Sequence, residues 1–228
     1  MSENAIIKCE NITKNFKVKK REIQILKGIN LSVNKGEVIV ITGKSGTGKS
    51  TFLNILGGLE HQTSGSVIFN NQIMENMSND DLSNLRRKNI GIIFQNFNLI
   101  PTWTAIENVE SAVMHIGLNK LARIQRAISL LNEFGLEDRL DNLPAELSIG
   151  QQQRVAIARA FMNDPSLILA DEPTGDVDPE TAQIIIESLI TPVKQRSVTL
   201  IVATHGVFPF DIANRVFFIE NGLLIPKI

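Results

Sequence analysis

Val38-Ile39-Val40-Ile41-Thr42-Gly43-Lys44-Ser45-Gly46-Thr47-Gly48-Lys49-Ser50 is the stretch that decides the fold of this chain. Val38 to Ile41 read as a buried strand, Gly43 to Ser50 fit G-x-x-x-x-G-K-[ST], and helix-forming sequence follows directly. In that context glycines let backbone N–H groups curl round phosphate oxygens, and the helix start adds positive potential. Lys49 supplies a mobile cation and Ser50 a hydroxyl able to ligate Mg2+. The competing reading, a Gly-rich turn with a surface lysine, does not call for a strand before it and a helix behind it.

The rest of the chain supplies the setting. Ala5-Ile6-Ile7, Ile23 to Leu26 and Ile29 to Val33 are short β-type runs broken by polar and Gly turns, an antiparallel edge sheet feeding the Val38 strand. A helix over residues 49–56 is stopped by Gly57-Gly58, and Ser66 to Phe69 with Asn70-Asn71 reads as a hairpin. Leu121, Ile124, Ile128 and Leu131 recur at helical spacing ahead of Gly135, so residues 96–164 are expected to form a helical insertion. Beyond it come a strand at Leu167 to Ala170, a helix near 179–190, the run Val198 to Ala203, and a hairpin turning at Asn221-Gly222.

This order predicts one α/β domain over residues 1–228. Residues 1–95 and 165–228 form a mainly parallel nucleotide-binding core with an antiparallel β subdomain, and 96–164 form an α-helical subdomain. The 228 residues carry 23 Lys+Arg against 24 Asp+Glu, a formal net charge of −1, so no nucleic-acid footprint is expected. Cys9 is the sole cysteine, which excludes an internal disulfide or a cysteine-built zinc site and reads as packing. No signal peptide and no apolar run of about 18 residues is found, so a cytoplasmic protein is expected, any membrane-spanning part belonging to another chain.

Three further apolar strands end in polar residues. Leu167 to Ala170 delivers Asp171 and Glu172 to a carboxyl end, the edge where open α/β sheets bind ligands. Asp171 suits a Mg2+ shell and Glu172 suits polarising an attacking water; a paired Asp-Glu alone is more often a solvated turn, and the Gly43 to Ser50 loop reverses that balance. Ile90 to Phe94 ends in Gln95, and Val198 to Ala203 ends in Thr204-His205; each is weak alone, and repetition raises them. Leu147-Ser148-Ile149-Gly150-Gln151 opens a helix with capping-box spacing between Ser148 and Gln151. The same helix start can bind an anion, and both readings can hold together.

Taken together, these motifs resemble the ABC ATPase family over nearly the whole chain and in the family's order. The resemblance implies a P-loop NTPase fold with a RecA-like core, ATP and Mg2+ as cofactors, and ATP hydrolysis coupled to transport. By that resemblance Gly43, Lys44, Ser45, Gly46, Thr47, Gly48, Lys49, Ser50 and the adjoining Thr51 bind nucleotide, and Gln95 is the Q-loop glutamine that, with Ser50 and Asp171, reaches the metal. Glu172, His205, Gln95 and Lys49 form the catalytic set, and Phe16 stacks on adenine, an ordinary edge-strand hydrophobe being its alternative. Ser148, Gly150, Gln151 and Asp178 would face ATP held by a second copy of the chain, so that two subunits assemble each site. Asp178-Pro179-Glu180 is equally a helix N-cap followed by Pro.

One departure stands out: the family signature carries two glycines, and Ile149 replaces the first. A β-branched residue is badly strained at positive φ, so Ile149 is expected to have a helical or extended backbone. Within the family, Ile90 to Asn108 and Leu169 to Gly175 look like the lipoprotein-release and macrolide-export type, whose partner is an integral membrane permease. That type places the ATPase against the inner face of the membrane. Docking is expected near Gln95 to Trp103, with Trp103 either in the docking groove or a core aromatic. His61 and His115 read as solvated surface. A repair or translation ATPase would show a coiled-coil insertion or a second nucleotide domain, and a non-hydrolysing clamp draws support only from Ile149.

Overall fold

Two sheets organise the computed structural model, which describes every residue except 1–3, 20, 115, 116, 118, 176, 206, 207 and 228. The first is antiparallel, ordered β2-β1-β4-β5 from β1 (Ala5–Val18), β2 (Arg21–Asn34), β4 (Ser64–Phe69) and β5 (Gln72–Ile73). Here the sequence expectation needs correction, because the short β runs are two strands of 14 residues each. The polar and Gly positions that resembled turns are bulges: Asn11 (φ 51) and Gly28 (φ 99) lie where the register shifts. The Asn30 side chain accepts the Asn11 N–H at 2.9 Å, which satisfies the displaced backbone.

The second sheet runs β10-β9-β3-β8-β7-β6. Its members are β3 (Val38–Thr42), β6 (Ile90–Ile93), β7 (Leu167–Asp171), β8 (Thr199–Thr204), β9 (Arg215–Glu220) and β10 (Leu223–Pro226). Only the β9–β10 pairing is antiparallel, turned by Asn221 (φ 52) and Gly222 (φ 79) as the Asn-Gly pair predicts. Side-chain alternation on these strands feeds two cores. Val38, Val40, Ile168, Ala170, Leu200 and Val202 face one; Ile39, Ile41, Leu167, Leu169, Ile201 and Ala203 face the other.

The second of these cores is closed by α1 (Lys49–Leu56), α2 (Asn79–Asn89) and the antiparallel sheet. Helix α2 is absent from the sequence reading, since only Leu82 and Leu85 are buried and give no stripe; its signal is the Ser78/Asp81 capping box. The first core is closed by α3 (Ala105–Glu110), α4 (Lys120–Glu133), α5 (Ile149–Phe161) and α6 (Pro179–Gln195). Val109, Leu131, Ile157 and Phe161 therefore share one apolar cluster with the sheet strands. On α4 the buried residues are Ala127, Leu130 and Leu131, while Leu121 is exposed, so the expected stripe is only partly covered. Helix α6 continues past the expected stop at 190 because buried Pro192 and Val193 keep contributing to the core, and Pro192 forfeits a single backbone bond in the last turn. Cys9 is buried, and burial pushes its thiol far above the usual range. Among the described residues no helix is long and apolar enough to cross a membrane.

Candidate active site

The loop after β3 is shaped by close backbone approach. Gly48 precedes α1 at φ 101, and a Cβ there would stand 2.7 Å from Ile25 Cγ2 and 2.9 Å from Leu26 Cδ2. Strand β2 thus presses on the loop and forms one wall of the cavity it encloses. Phe16, Ile25, Ser45, Gly46, Gly48, Lys49, Ser50, Thr51, Gln95, Glu172 and His205 line that cavity. Gly43, Lys44 and Thr47 border an adjoining cleft that also reaches His205.

Lys49 is buried, and its ammonium donates to the carbonyls of Gly43 at 2.9 Å and Lys44 at 3.2 Å. Glu172 Oε1 lies 3.5 Å from Lys49 Nζ and 2.6 Å from His205 Nδ1, a separation at which Nδ1–H donates. Glu172 Oε2 accepts the His205 backbone N–H at 2.9 Å. The residue itself sits at φ 48, a left-handed conformation costing about 1 kcal/mol or more for a side chain of this kind. Its N–H bond to Ala203 O at 2.8 Å and the Gly175 N–H bond to its own carbonyl at 3.0 Å hold that turn. A buried carboxylate, a buried ammonium and an imidazole are thereby brought together where β3, β7 and β8 end.

Asp171 sits beside the Ser50 hydroxyl, which counters part of the effect of burial on its carboxyl, and Asp171 Oδ1 is buried with no hydrogen-bond partner. Burial, the largest influence, raises its carboxyl above the ordinary aspartate range. A buried acceptor left open beside a hydroxyl fits Mg2+, which takes one or two protein oxygens and completes its shell with water and phosphate. Among the described residues no group of three or more His, Cys, Asp or Glu is arranged to hold a metal ion by itself. The Phe16 side chain faces the cavity, 36% exposed, with Lys14 Nζ 4.9 Å from its ring centroid. Lys14 is held by Glu60 and by the His61 carbonyl, each at 2.6 Å. Neither Lys14 nor Ile25 carries a sequence signal beyond strand alternation. His61 is exposed, while His115 lies outside the described residues.

Gln95 opens a loop that two side chains fasten, the half-buried Arg159 and the fully buried Asn108. Arg159 of α5 donates to the Asn98 carbonyl at 2.6 Å and the Phe97 carbonyl at 2.5 Å, and burial lowers its guanidinium to about 10. Asn108 of α3, fully buried, accepts from Ile100 N at 2.7 Å and donates to the carbonyls of Ile100, Trp103 and Thr104 at 3.2, 2.9 and 3.0 Å. A groove beside this loop is lined by Leu59, Arg86, Arg87, Ile92, Arg159 and Asn163, among others, with no carboxylate among its described lining residues. Trp103 is half-buried and does not belong to that lining, so neither the groove nor the core claims it outright.

Ser148, Gly150, Gln151 and Asp178 stay away from the cavity. Ser148 and Gln151 form the expected capping box at the start of α5, with bonds of 2.9 and 3.3 Å. Ile149 takes the first helical position, is absent from the positive-φ residues and is exposed, which agrees with the expected ordinary backbone. Asp178 caps α6, accepting from Thr181 N at 3.0 Å, and this bonding together with the Thr181 hydroxyl holds its carboxyl below the usual range.

Residues 26–175 match the family model described as ABC transporter. Over 90% of its length the chain is 45% identical to the lipoprotein-releasing system ATP-binding protein LolD 2 of Chlorobium chlorochromatii, covering 87% of that protein. It is 42% identical over 99% of its length to the macrolide export ATP-binding/permease protein MacB of Brucella melitensis, but spans only 35% of that longer chain. Among solved structures, the dimeric post-hydrolysis state of the ATP-binding cassette MJ0796 with ADP and Pi superimposes with a TM-score of 0.89, at 39% identity and with 96% of each chain covered.

Proposed function

The chain belongs to the ABC transporter family, and on that premise we propose how its residues bind and hydrolyse ATP. The protein is the ATP-hydrolysing subunit of an ABC transporter, works as a dimer with Mg2+ as cofactor, and acts on a membrane permease. The observation that carries the site assignment is the buried Glu172 carboxylate, held against Lys49 and His205 at the rim where β7 and β8 end.

In this reading the amides of Gly43 to Thr51 and the Lys49 ammonium take the β- and γ-phosphates, and the base stacks on Phe16 beside Ile25. Ser50 and Asp171, with Gln95 reaching from its loop, would hold Mg2+, which neutralises charge on the phosphates when bound. Glu172 orients water and accepts its proton as the water oxygen bonds to the γ-phosphorus and the bond to the bridging oxygen breaks, releasing ADP. His205 aims the Glu172 carboxylate through two hydrogen bonds. Ser148, Gly150, Gln151 and Asp178 complete the site of the partner copy, which explains why they lie apart from the cavity of their own chain.

The permease docks in the groove beside Gln95 to Trp103, and the subunit thereby rests on the inner face of the membrane. Three arginines with Leu59 and Ile92 favour an apolar helix bearing a carboxylate. Glu172→Gln tests the assignment: turnover of MgATP falls roughly 100-fold or more, while light scattering detects a dimer that persists in MgATP. Retained turnover overturns the role of Glu172.

A further inference from the structure

Gly150 is buried in the first turn of α5 and is absent from the glycines at positive φ, so its backbone conformation is open to any residue. What forbids a side chain is a neighbour. A Cβ at this position would stand 2.6 Å from Thr181 Cγ2, well inside the roughly 3.5–4.0 Å at which carbons pack. The other branch of Thr181 is engaged as well: its Oγ1 donates to Asp178 Oδ2 at 2.6 Å, and its N–H donates to Asp178 Oδ1 at 3.0 Å. One side chain therefore sets its methyl on the glycine of the α5 start and its hydroxyl on the carboxylate that caps α6.

We propose that Thr181 is a positioning residue that locks the Ser148-Gly150 turn and Asp178 into one unit, and that residue 150 is glycine to admit the Thr181 methyl. This rests on the reading that both segments reach the nucleotide held by the partner copy. The lock then delivers them to that nucleotide at a fixed spacing. A side chain at 150 wedges the two helix starts apart, and a displacement of about 1 Å at such a site can cost on the order of 100-fold in rate.

The test is a rescue. Gly150→Ala lowers kcat for ATP at least roughly tenfold, with KM nearly unchanged because nucleotide binds mainly to the opposite subunit's loop. Thr181→Ser keeps the hydroxyl and removes the methyl, so the double variant Gly150→Ala with Thr181→Ser recovers most of the lost kcat. Thr181→Val keeps the methyl and the backbone N–H bond but removes the hydroxyl's bond to Asp178, lowering kcat with no rescue of Gly150→Ala. Failure of the double variant to recover, with ATP binding intact, overturns the proposal and assigns the glycine to phosphate approach instead; a fully active Gly150→Ala does the same. If the wild-type protein shows no turnover, the functional reading fails, and the contact is judged by denaturation midpoints. Midpoint shifts of the two single variants that simply add in the double variant overturn it there too.

Discussion

Glu172 shows what a single position can be asked to do, since its carboxylate meets an ammonium, an imidazole and a backbone amide while its own backbone is left-handed. Lys49 is the counterpart on the loop, its ammonium already turned inward onto two carbonyls. Lys49→Ala removes the cation proposed to take phosphate, and titration calorimetry should record no heat with MgATP. Ile149 bears on rate in a different way. Because it occupies an exposed, helical N-terminal position, Ile149→Gly changes stability by less than about 1 kcal/mol, measured by urea unfolding, and relieves no strain. A large activation by that variant would show that the isoleucine restrains the site through the partner copy. The residues legible in the sequence were those whose chemistry is local: Gly43 to Ser50, Asp171-Glu172, and the strand-ending Gln95 and His205. Arg159 and Thr181 were not legible, because what they do depends on contacts such as the one from Arg159 to Asn98, 61 positions away.

At the scale of elements, the loop from Gln95 to Thr104 is defined by what grips it. Asn108 bonds one N–H and three carbonyls; Asn108→Ala leaves the Ile100 N–H and the Trp103 carbonyl without that partner, while the Ile100 and Thr104 carbonyls keep bonds from the Trp103 and Asn108 backbone N–H groups, and costs about 2 kcal/mol. Limited proteolysis should then cut within residues 96–104, and unchanged protection there would refute the grip. The sequence placed most elements correctly, since strand runs and caps are local signals. It divided β1 and β2 into fragments because a bulge and a turn use the same residue types, and only pairing across the ribbon separates them. The stripe that spacing picks out on α4 is only partly covered, from Leu131 but not Leu121, because contact with α3 and α5 decides how much of it is buried.

For the whole molecule, the helices between β6 and β7 share their apolar core with one face of the parallel sheet. Unfolding should accordingly be a single cooperative transition. Trp103, the only tryptophan, reports on the helical segment, and far-ultraviolet circular dichroism reports on the whole chain. The two guanidinium curves should superimpose, whereas separate midpoints would establish the segment as an autonomous unit. The sequence could not decide this, because apolar periodicity is the same for a helix packed on helices and for one packed on a sheet. The placement of Cys9 has a practical consequence at this scale. Its sulfur is enclosed within the antiparallel layer and kept protonated, so maleimide dyes or spin labels should pass it by. A cysteine introduced at the exposed Ile149 would then be the one reactive handle, and energy transfer between two labelled copies could follow their approach as nucleotide is added.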